Sequence, residues 1–420
     1  MRKTIIFILT FILSISLMMG SAKANNNCPP SVSADGVILM DATTGSILYS
    51  KNKDVKYPPA STTKIMTALL VLENCKLDEV VTIGKEPPLA DGSKIYIFEA
   101  EKLTVKDLLY GLLLQSANDC AEALAEHISG SKEDFAELMN KRAKELGCKN
   151  TTFKNPHGLY DDNHRTTAYD LGLILKELVK HPEYKKISTT SIYYIPPTNQ
   201  TGAKRPIWNK NKLVQKNSDS YYPECVGGKT GYTIQSKHSY VAAASRNSQT
   251  LIAILLHDTK HTYWSDVINL FNYGFNNFLL ETFHSKGDSL GTYSINKSTE
   301  IPIVSAENSF YVKDKTSDES PEFKINNKSL IKGDFKKGDI ILDASIIYKN
   351  ENVGTLKIAS NVDYSSSKNL IASFSNTEIT NSKLLKIASC IIIGALVVVF
   401  VSVGLKKRSK KKRKKFKHIH

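Results

Sequence analysis

Three short stretches of this 420-residue chain hold the side chains that acyl transfer requires. Ser61-Thr62-Thr63-Lys64 sets a hydroxyl and an amine three residues apart. At a helix start that separation places both on one face, a turn apart, and an unprotonated amine there takes the proton of the attacking hydroxyl. Ser116-Ala117-Asn118 falls between two helical patterns, where a short loop turns a second hydroxyl and an amide toward a cleft. Lys229-Thr230-Gly231 adds a cation, a hydroxyl and a residue without a side chain, beside which a substrate backbone lies close. Each is weak in isolation. S-x-x-K also occurs at Ser50/Lys53, Ser129/Lys132, Ser294/Lys297 and Ser365/Lys368, and Ser245-Arg246-Asn247 repeats S-x-N. Ser116 and Asn118 would also serve simply as caps of the helix that follows. The K-T-G triplet is unique, and the three stretches come in order on a helix start, a loop and a strand, with separations of 55 and 113 residues.

The elements that must position these groups are legible in outline. Val37-Ile38-Leu39-Met40 and Ile47-Leu48-Tyr49 flank a turn-rich connection and predict a hairpin. Ile65, Leu69 and Leu72 give Thr62–Glu73 a helical stripe, a second helix is expected over Val105–Tyr110, and another from Asn118 carries Ala121, Leu124, Ala125 and Ile128 inward. Tyr240–Ala244 and Leu251–Leu256, joined by Arg246-Asn247-Ser248, read as consecutive antiparallel strands, with a terminal helix over Trp264–Leu279 to pack on them. Beyond Glu281 the pattern changes to short β-like runs, Ser309–Val312, Ile340–Leu342, Ser345–Tyr348 and Gly354–Ile358, spaced like a small all-β domain that carries no charged cluster suited to chemistry.

The two ends read as addresses. Arg2 and Lys3, an apolar run over Ile5–Met19 and the small residues Ser21-Ala22-Lys23-Ala24 predict an export signal over residues 1–24. Leu384–Leu405 has the length of a membrane span, and the basic run from Lys406 onward, within 406–420, belongs on the cytoplasmic side. The net charge of +15 therefore does not imply a nucleic-acid partner. With ten Lys or Arg after Leu405, three in the leader and Lys386 set aside, 42 of the 56 basic residues face 41 acidic ones. The expected localisation is the cell membrane, single-pass, with the bulk of the chain outside. Six cysteines show no C-x-x-C and no metal-like spacing, so no metal and no cofactor is expected; disulfides among Cys28, Cys75, Cys120, Cys148 and Cys225 are open, with pairing unassigned.

With their flanks, the motifs read Pro59-Ala60-Ser61-Thr62-Thr63-Lys64-Ile65-Met66-Thr67, Gln115-Ser116-Ala117-Asn118-Asp119, Asn155-Pro156-His157-Gly158-Leu159 and Gly227-Gly228-Lys229-Thr230-Gly231. On these segments the chain from about Asp35 to Phe275 resembles low-molecular-mass penicillin-binding proteins of the D-alanyl-D-alanine carboxypeptidase type, including those linked to sporulation. The resemblance implies an α+β fold: a penicillin-binding, β-lactamase-like transpeptidase domain of antiparallel sheet and packed helices over 30–280. A small all-β domain over 285–375 and the transmembrane anchor over 384–405 complete the plan.

It also implies roles. Ser61 is the nucleophile on the peptide bond between two terminal D-alanines of a peptidoglycan stem pentapeptide, Lys64 its base and Ser116 a proton relay to the leaving amine. Asn118 meets the substrate amide, Lys229 and Thr230 receive the terminal carboxylate, and Gly231 lets the substrate backbone lie close. The backbone N–H groups of Ser61 and Tyr232 form the oxyanion hole, and His157 and Asp170 stand behind the site in either a supporting or a structural role. β-Lactam antibiotics are expected as acylating inhibitors. One departure is visible: many relatives carry an arginine on the strand after K-T-G, whereas this chain reads Leu255-Leu256-His257-Asp258-Thr259-Lys260, where Lys260 supplies a point charge and not a planar fork. The alternatives are an endopeptidase acting on crosslinks with the same residues, a β-lactamase, for which the E-x-x-L-N segment is missing between Asn118 and Lys229, and a catalytically silent cell-wall-binding scaffold.

Overall fold

The computed structural model of the chain describes residues 28–365 apart from 298, 327–329 and 332. The expected leader (1–24), membrane span (384–405) and basic tail (406–420), with residues 366–375 of the β-rich segment, lie outside the described residues. Among the described residues no helix is long and apolar enough to cross a membrane.

The first half of the chain gives β1 (Gly36–Asp41), β2 (Ile47–Lys51), α1 (Lys64–Asn74), β3 (Val80–Thr82), β4 (Lys102–Thr104), α2 (Val105–Tyr110), α3 (Asn118–Ser129) and α4 (Lys132–Glu145). It continues through α5 (Ala168–Leu178), α6 (Pro182–Ser188), β5 (Ile192–Ile195), β6 (Arg205–Trp208), β7 (Cys225–Thr233), β8 (Lys237–Arg246), β9 (Gln249–Asp258) and α7 (Tyr263–Asn277). Five strands form one antiparallel sheet in the order β2-β1-β9-β8-β7, which leaves β7, the K-T-G strand, at an edge.

Side-chain alternation explains why these strands read as unbroken apolar runs. Ile38, Met40, Val241, Ala243, Ile252 and Ile254 point to one face and pack with Ile65 and Leu69 of α1 and Leu171, Ile174 and Leu175 of α5. Val37, Leu39, Ala242, Ala244, Leu251, Ala253 and Leu255 point to the other and meet Val267, Leu270 and Phe271 of α7. Both faces are dry, so no polar residue alternates with the apolar ones. Asn247 and Ser248, at φ 49° and 65°, make the two-residue turn between β8 and β9, a left-handed pair whose twist matches that of the strands it joins.

The terminal helix ends earlier than its expected limit at Leu279. Asn277 is its last residue, and Phe278–His284 form β10, paired with the strand Ser309–Asp314 through register partners such as Leu280 and Val312. The run Phe278-Leu279-Leu280 suited either element; long-range pairing decides for the strand. The described residues divide into two compact units. The first takes those up to 290 together with 304–328 and 342–358. Besides the sheet and helices above it holds the pairing of β10 with Ser309–Asp314 and that of Glu322–Ile325 with Ala344–Ile347. The second comprises 291–303, 329–341 and the residues from 359 onward, and in it Phe335 bridges to Tyr364 with their rings stacked at 5.2 Å. The strand runs expected at 309–312, 340–342, 345–348 and 354–358 are all strands, the middle two being one continuous strand, Ile340–Tyr348. None of the five cysteines among the described residues is in a disulfide.

Candidate active site

The S-x-x-K motif straddles two kinds of helix. Ala60–Thr63 form a single 3-10 turn, and Lys64 opens α1. Ala60 is held at φ 50°, a left-handed conformation that costs a β-carbon-bearing residue free energy and that accompanies functional positions. The turn is tied from several sides. Thr62 Oγ1 donates to the Pro59 carbonyl at 2.7 Å and Thr63 Oγ1 to that of Ala60 at 2.8 Å. From below, His164 meets Thr63 Oγ1 through Nε2 at 3.0 Å, while its Nδ1 accepts from the Lys154 N–H. Burial pushes the His164 imidazole down to about 3, so it is neutral with its proton on Nε2.

Lys64 is fully buried. Its Nζ lies 3.0 Å from Ser61 Oγ, 2.7 Å from Asn118 Oδ1 and 2.8 Å from the His157 carbonyl. An ammonium donates to all three. Burial first, and then the charge of Lys229, hold its pKa well below the ordinary lysine value. When one proton leaves, the remaining two N–H bonds must serve the two oxygens that can only accept, Asn118 Oδ1 and the His157 carbonyl. The freed lone pair then faces the one neighbour able to donate, the Ser61 hydroxyl. That is the geometry of a general base on a serine nucleophile.

Asn118, the first residue of α3, is itself fixed: its Nδ2 donates to the Asp91 carbonyl at 2.6 Å and its N–H to that of Ser93 at 2.6 Å. Both ends of the amide expected to meet substrate are therefore engaged in the free protein, one of them on Lys64. Ser116 ends a π-helical turn, Gly111–Gln115, and sits at φ 62°. Its hydroxyl has no hydrogen-bond partner among the described residues, and it lines a small pocket with Lys210, Lys229 and Thr230.

On β7, Lys229 is buried, with Nζ donating to the Thr230 carbonyl at 2.7 Å. Burial, reinforced by Lys210, lowers it to about 7. Gly231 is where the strand meets the nucleophile: a β-carbon there would stand 3.0 Å from the Ser61 nitrogen and 3.0 Å from the Pro59 carbonyl oxygen. Tyr232 is the next residue along β7.

The supporting residues divide. His157 contributes its carbonyl to Lys64, while its ring turns away: Nδ1 accepts from the Leu159 N–H and Nε2 donates to Glu122 Oε1 at 3.0 Å. Burial keeps this ring below the usual histidine range although Glu122 opposes it. Asp170 is not brought to the site. Its carboxylate caps the segment 149–151, taking the Asn150 N–H at 2.8 Å and the Thr151 hydroxyl at 2.7 Å, and it stands at the start of α5. Lys260 is exposed, its N–H bound to Asp258. Sequence patterns did not single out Lys210, whose Nζ donates to the Gln115 carbonyl at 3.0 Å beside Ser116, nor Glu122, His164 or Asp91. For these no local motif exists; only Lys210, a cation between polar asparagines late in the domain, carried any compositional signal.

Comparisons with known proteins give the family and the fold. A family model described as D-alanyl-D-alanine carboxypeptidase matches residues 23–260. The chain is 32% identical over 331 residues to the D-alanyl-D-alanine carboxypeptidase DacF of Bacillus subtilis, covering 77% of this chain and 80% of that one. It is 34% identical over 262 residues to DacC of Escherichia coli, covering 59% and 63%. Among solved structures, penicillin binding protein 5 from Haemophilus influenzae superposes with a TM-score of 0.66 at 27% identity, over 80% of this chain and 98% of that one. The Streptomyces K15 DD-transpeptidase does so at 0.54 and 32%, over 59% and 99%. The α+β architecture of antiparallel sheet and packed helices is thus of the transpeptidase kind.

Proposed function

This chain belongs to the D-alanyl-D-alanine carboxypeptidase family and is a serine-type hydrolase of that kind; we propose that Ser61 is its nucleophile and Lys64 the base that activates it. The observation that carries the assignment is the set of three partners around Lys64 Nζ, two of which only accept, so that a neutral amine must turn its lone pair to Ser61.

The substrate is a peptidoglycan stem peptide ending in D-alanyl-D-alanine. Its carboxylate is received by Lys229 and the Thr230 hydroxyl, with Gly231 keeping the strand free of a side chain where the peptide lies. Ser61 Oγ attacks the carbonyl carbon and its proton passes to Lys64. The charge that develops on the carbonyl oxygen is met by the N–H groups of Ser61 and Tyr232. Ser116, whose hydroxyl is free, gives its proton to the departing D-alanine amine and takes in exchange the one held by Lys64. Water then attacks the acyl-enzyme and releases the shortened peptide. Asn118 acts on Lys64 first, and a substrate amide shares it only by competing with Asp91. β-Lactams enter the same path and stop at the acyl-enzyme.

We place this chemistry outside the membrane, with residues 1–24 as the export signal, 30–280 as the catalytic part and 285–375 as a β-rich spacer. The anchor is 384–405, with 406–420 on the cytoplasmic side. Support comes from the leader composition, the apolar run and the basic residues behind it.

The test is mass spectrometry of the purified chain, wild type and Ser61→Ala, after incubation with a pentapeptide ending in D-Ala-D-Ala and separately with penicillin. Release of one D-alanine and a penicillin adduct on Ser61, both lost in the variant, is the expected result. An adduct without D-alanine release would redirect the assignment to an endopeptidase, and neither signal in folded protein would overturn it.

A further inference from the structure

The spacing of the cysteines gave no reason to expect a metal, but spacing sees only one stretch of chain at a time. In the fold Cys75 Sγ, a carboxylate oxygen of Glu79 and a ring nitrogen of His127 lie within 4.8 Å of one another. Cys75 caps the C-terminal end of α1, Glu79 follows four residues later at the entrance to β3, and His127 is in the last turn of α3. We propose that these three side chains bind one Zn²⁺ ion, with water as the fourth ligand, as a structural clamp between α1 and α3.

The chemistry and the geometry both fit. A thiolate, an imidazole and a carboxylate are the donor types zinc prefers, and the soft thiolate disfavours Mg²⁺ and Ca²⁺. Around a tetrahedral zinc, nitrogen and oxygen ligands stand ~3.3 Å apart; His127 Nε2 and Glu79 Oε2 are 3.3 Å apart. The sulfur has at most about 1 Å to travel to reach bonding position, which a side-chain rotation supplies. Glu79 is also aimed: its Oε1 accepts the Lys76 N–H at 2.7 Å, which fixes the carboxylate plane and leaves Oε2 toward His127, the outer-shell support that metal-binding carboxylates need. That same N–H, followed by His127, holds the Glu79 carboxyl below its ordinary range, so it is an anion ready to bind.

A thiol binds zinc only as the thiolate, so metal binding must expel the Cys75 proton. The clamp's location gives it a purpose. α1 and α3 present Lys64 and Asn118 from their N-terminal ends, where the two side chains meet at 2.7 Å, and the three ligands join the same two helices at their opposite ends. The proposal does not depend on the assigned reaction.

The test is anaerobic titration of the full chain in detergent with Co²⁺, followed by Zn²⁺. Expected are a thiolate-to-cobalt charge-transfer band and tetrahedral visible bands that saturate at one equivalent, are displaced by one equivalent of Zn²⁺, and release one proton per ion. Cys75→Ser should abolish the charge-transfer band. His127→Ala and Glu79→Gln, at partly exposed positions, should each weaken binding about tenfold or more, and Cys28→Ser should change nothing. Zn²⁺ at one fixed concentration should raise the unfolding temperature of the wild type more than that of His127→Ala. Absence of the band in the wild type, its survival in Cys75→Ser, its loss in Cys28→Ser, or unchanged affinity in His127→Ala would each overturn the proposal.

Discussion

Lys64 and Lys229 are both buried lysines, and their protonation states set the pH window of the proposed reaction. Lys64 must be neutral to accept the Ser61 proton, so acylation should fall as pH drops far enough to protonate it. Lys229 must be charged to hold a carboxylate, and at about 7 it begins to lose that charge as pH rises. For the free enzyme kcat/KM should therefore carry an alkaline limb that Lys229→Arg, which cannot deprotonate in this range, removes even if its rate is lower. A limb unchanged in that variant would assign it elsewhere. The same shift governs stability. Between about 7 and the ordinary lysine pKa of roughly 10.4 the unfolded chain binds a proton at position 229 that the folded chain does not. The penalty of burying Lys229 is thus fully present below 7 and is relieved as pH rises through that window. Thermal melts of Lys229→Met should gain less stability than the wild type between those limits.

The catalytic side chains are presented by elements whose shape depends on two close approaches. Gly158, at φ +89°, passes so near the nucleophile turn that a β-carbon would fall 1.8 Å from the Ala60 carbonyl oxygen. Gly158→Ala must move backbone as well as adopt a left-handed conformation, and should destabilise the fold by ~1–3 kcal/mol or more in thermal or denaturant unfolding. Gly231→Ala is milder. Its β-carbon would meet the Ser61 nitrogen at 3.0 Å, so the edge strand β7 must shift by a few tenths of an ångström while the fold persists. Slower acylation by penicillin, on the order of tenfold or more, with a melting temperature close to that of the wild type, is the expected signature. Equal acylation rates would show that β7 does not set the geometry of Ser61. The left-handed Ala60 and Ser116 and the π-helical turn before Ser116 belong to the same pattern: irregular backbone lies where the three motifs converge.

At the scale of the whole molecule, the proposed anchor implies that a chain ending at residue 365 leaves the membrane fraction while retaining D-alanine release per mole, checked by fractionation and a pentapeptide assay; a truncated chain still bound to membranes would refute the anchor. Sequence alone determined the local parts of this protein. Ser61/Lys64, Ser116/Asn118 and Lys229 to Gly231 were legible because residue type and separation over a few positions fix which side chains share a face. The hairpin β8–β9 was legible because two apolar runs and a turn suffice to specify it. Helices α4, α5 and α6 went unread: in α4 only Phe135, Ala136, Met139 and Ala143 are buried among charged neighbours, a thin signal. Where α7 gives way to β10 was misjudged because apolar residues suit either element until a partner strand is present. Tertiary structure alone decided that the His157 carbonyl and Asn118 close around Lys64, that Asp170 stands apart, that Lys210 joins Ser116 and Lys229, and that Cys75, Glu79 and His127 meet. Lys64–Asn118, Lys64–His157, Lys210–Gln115 and Glu79–His127 join residues 48 to 95 positions apart, and such meetings are set by how sheet and helices pack, which no short stretch of sequence encodes.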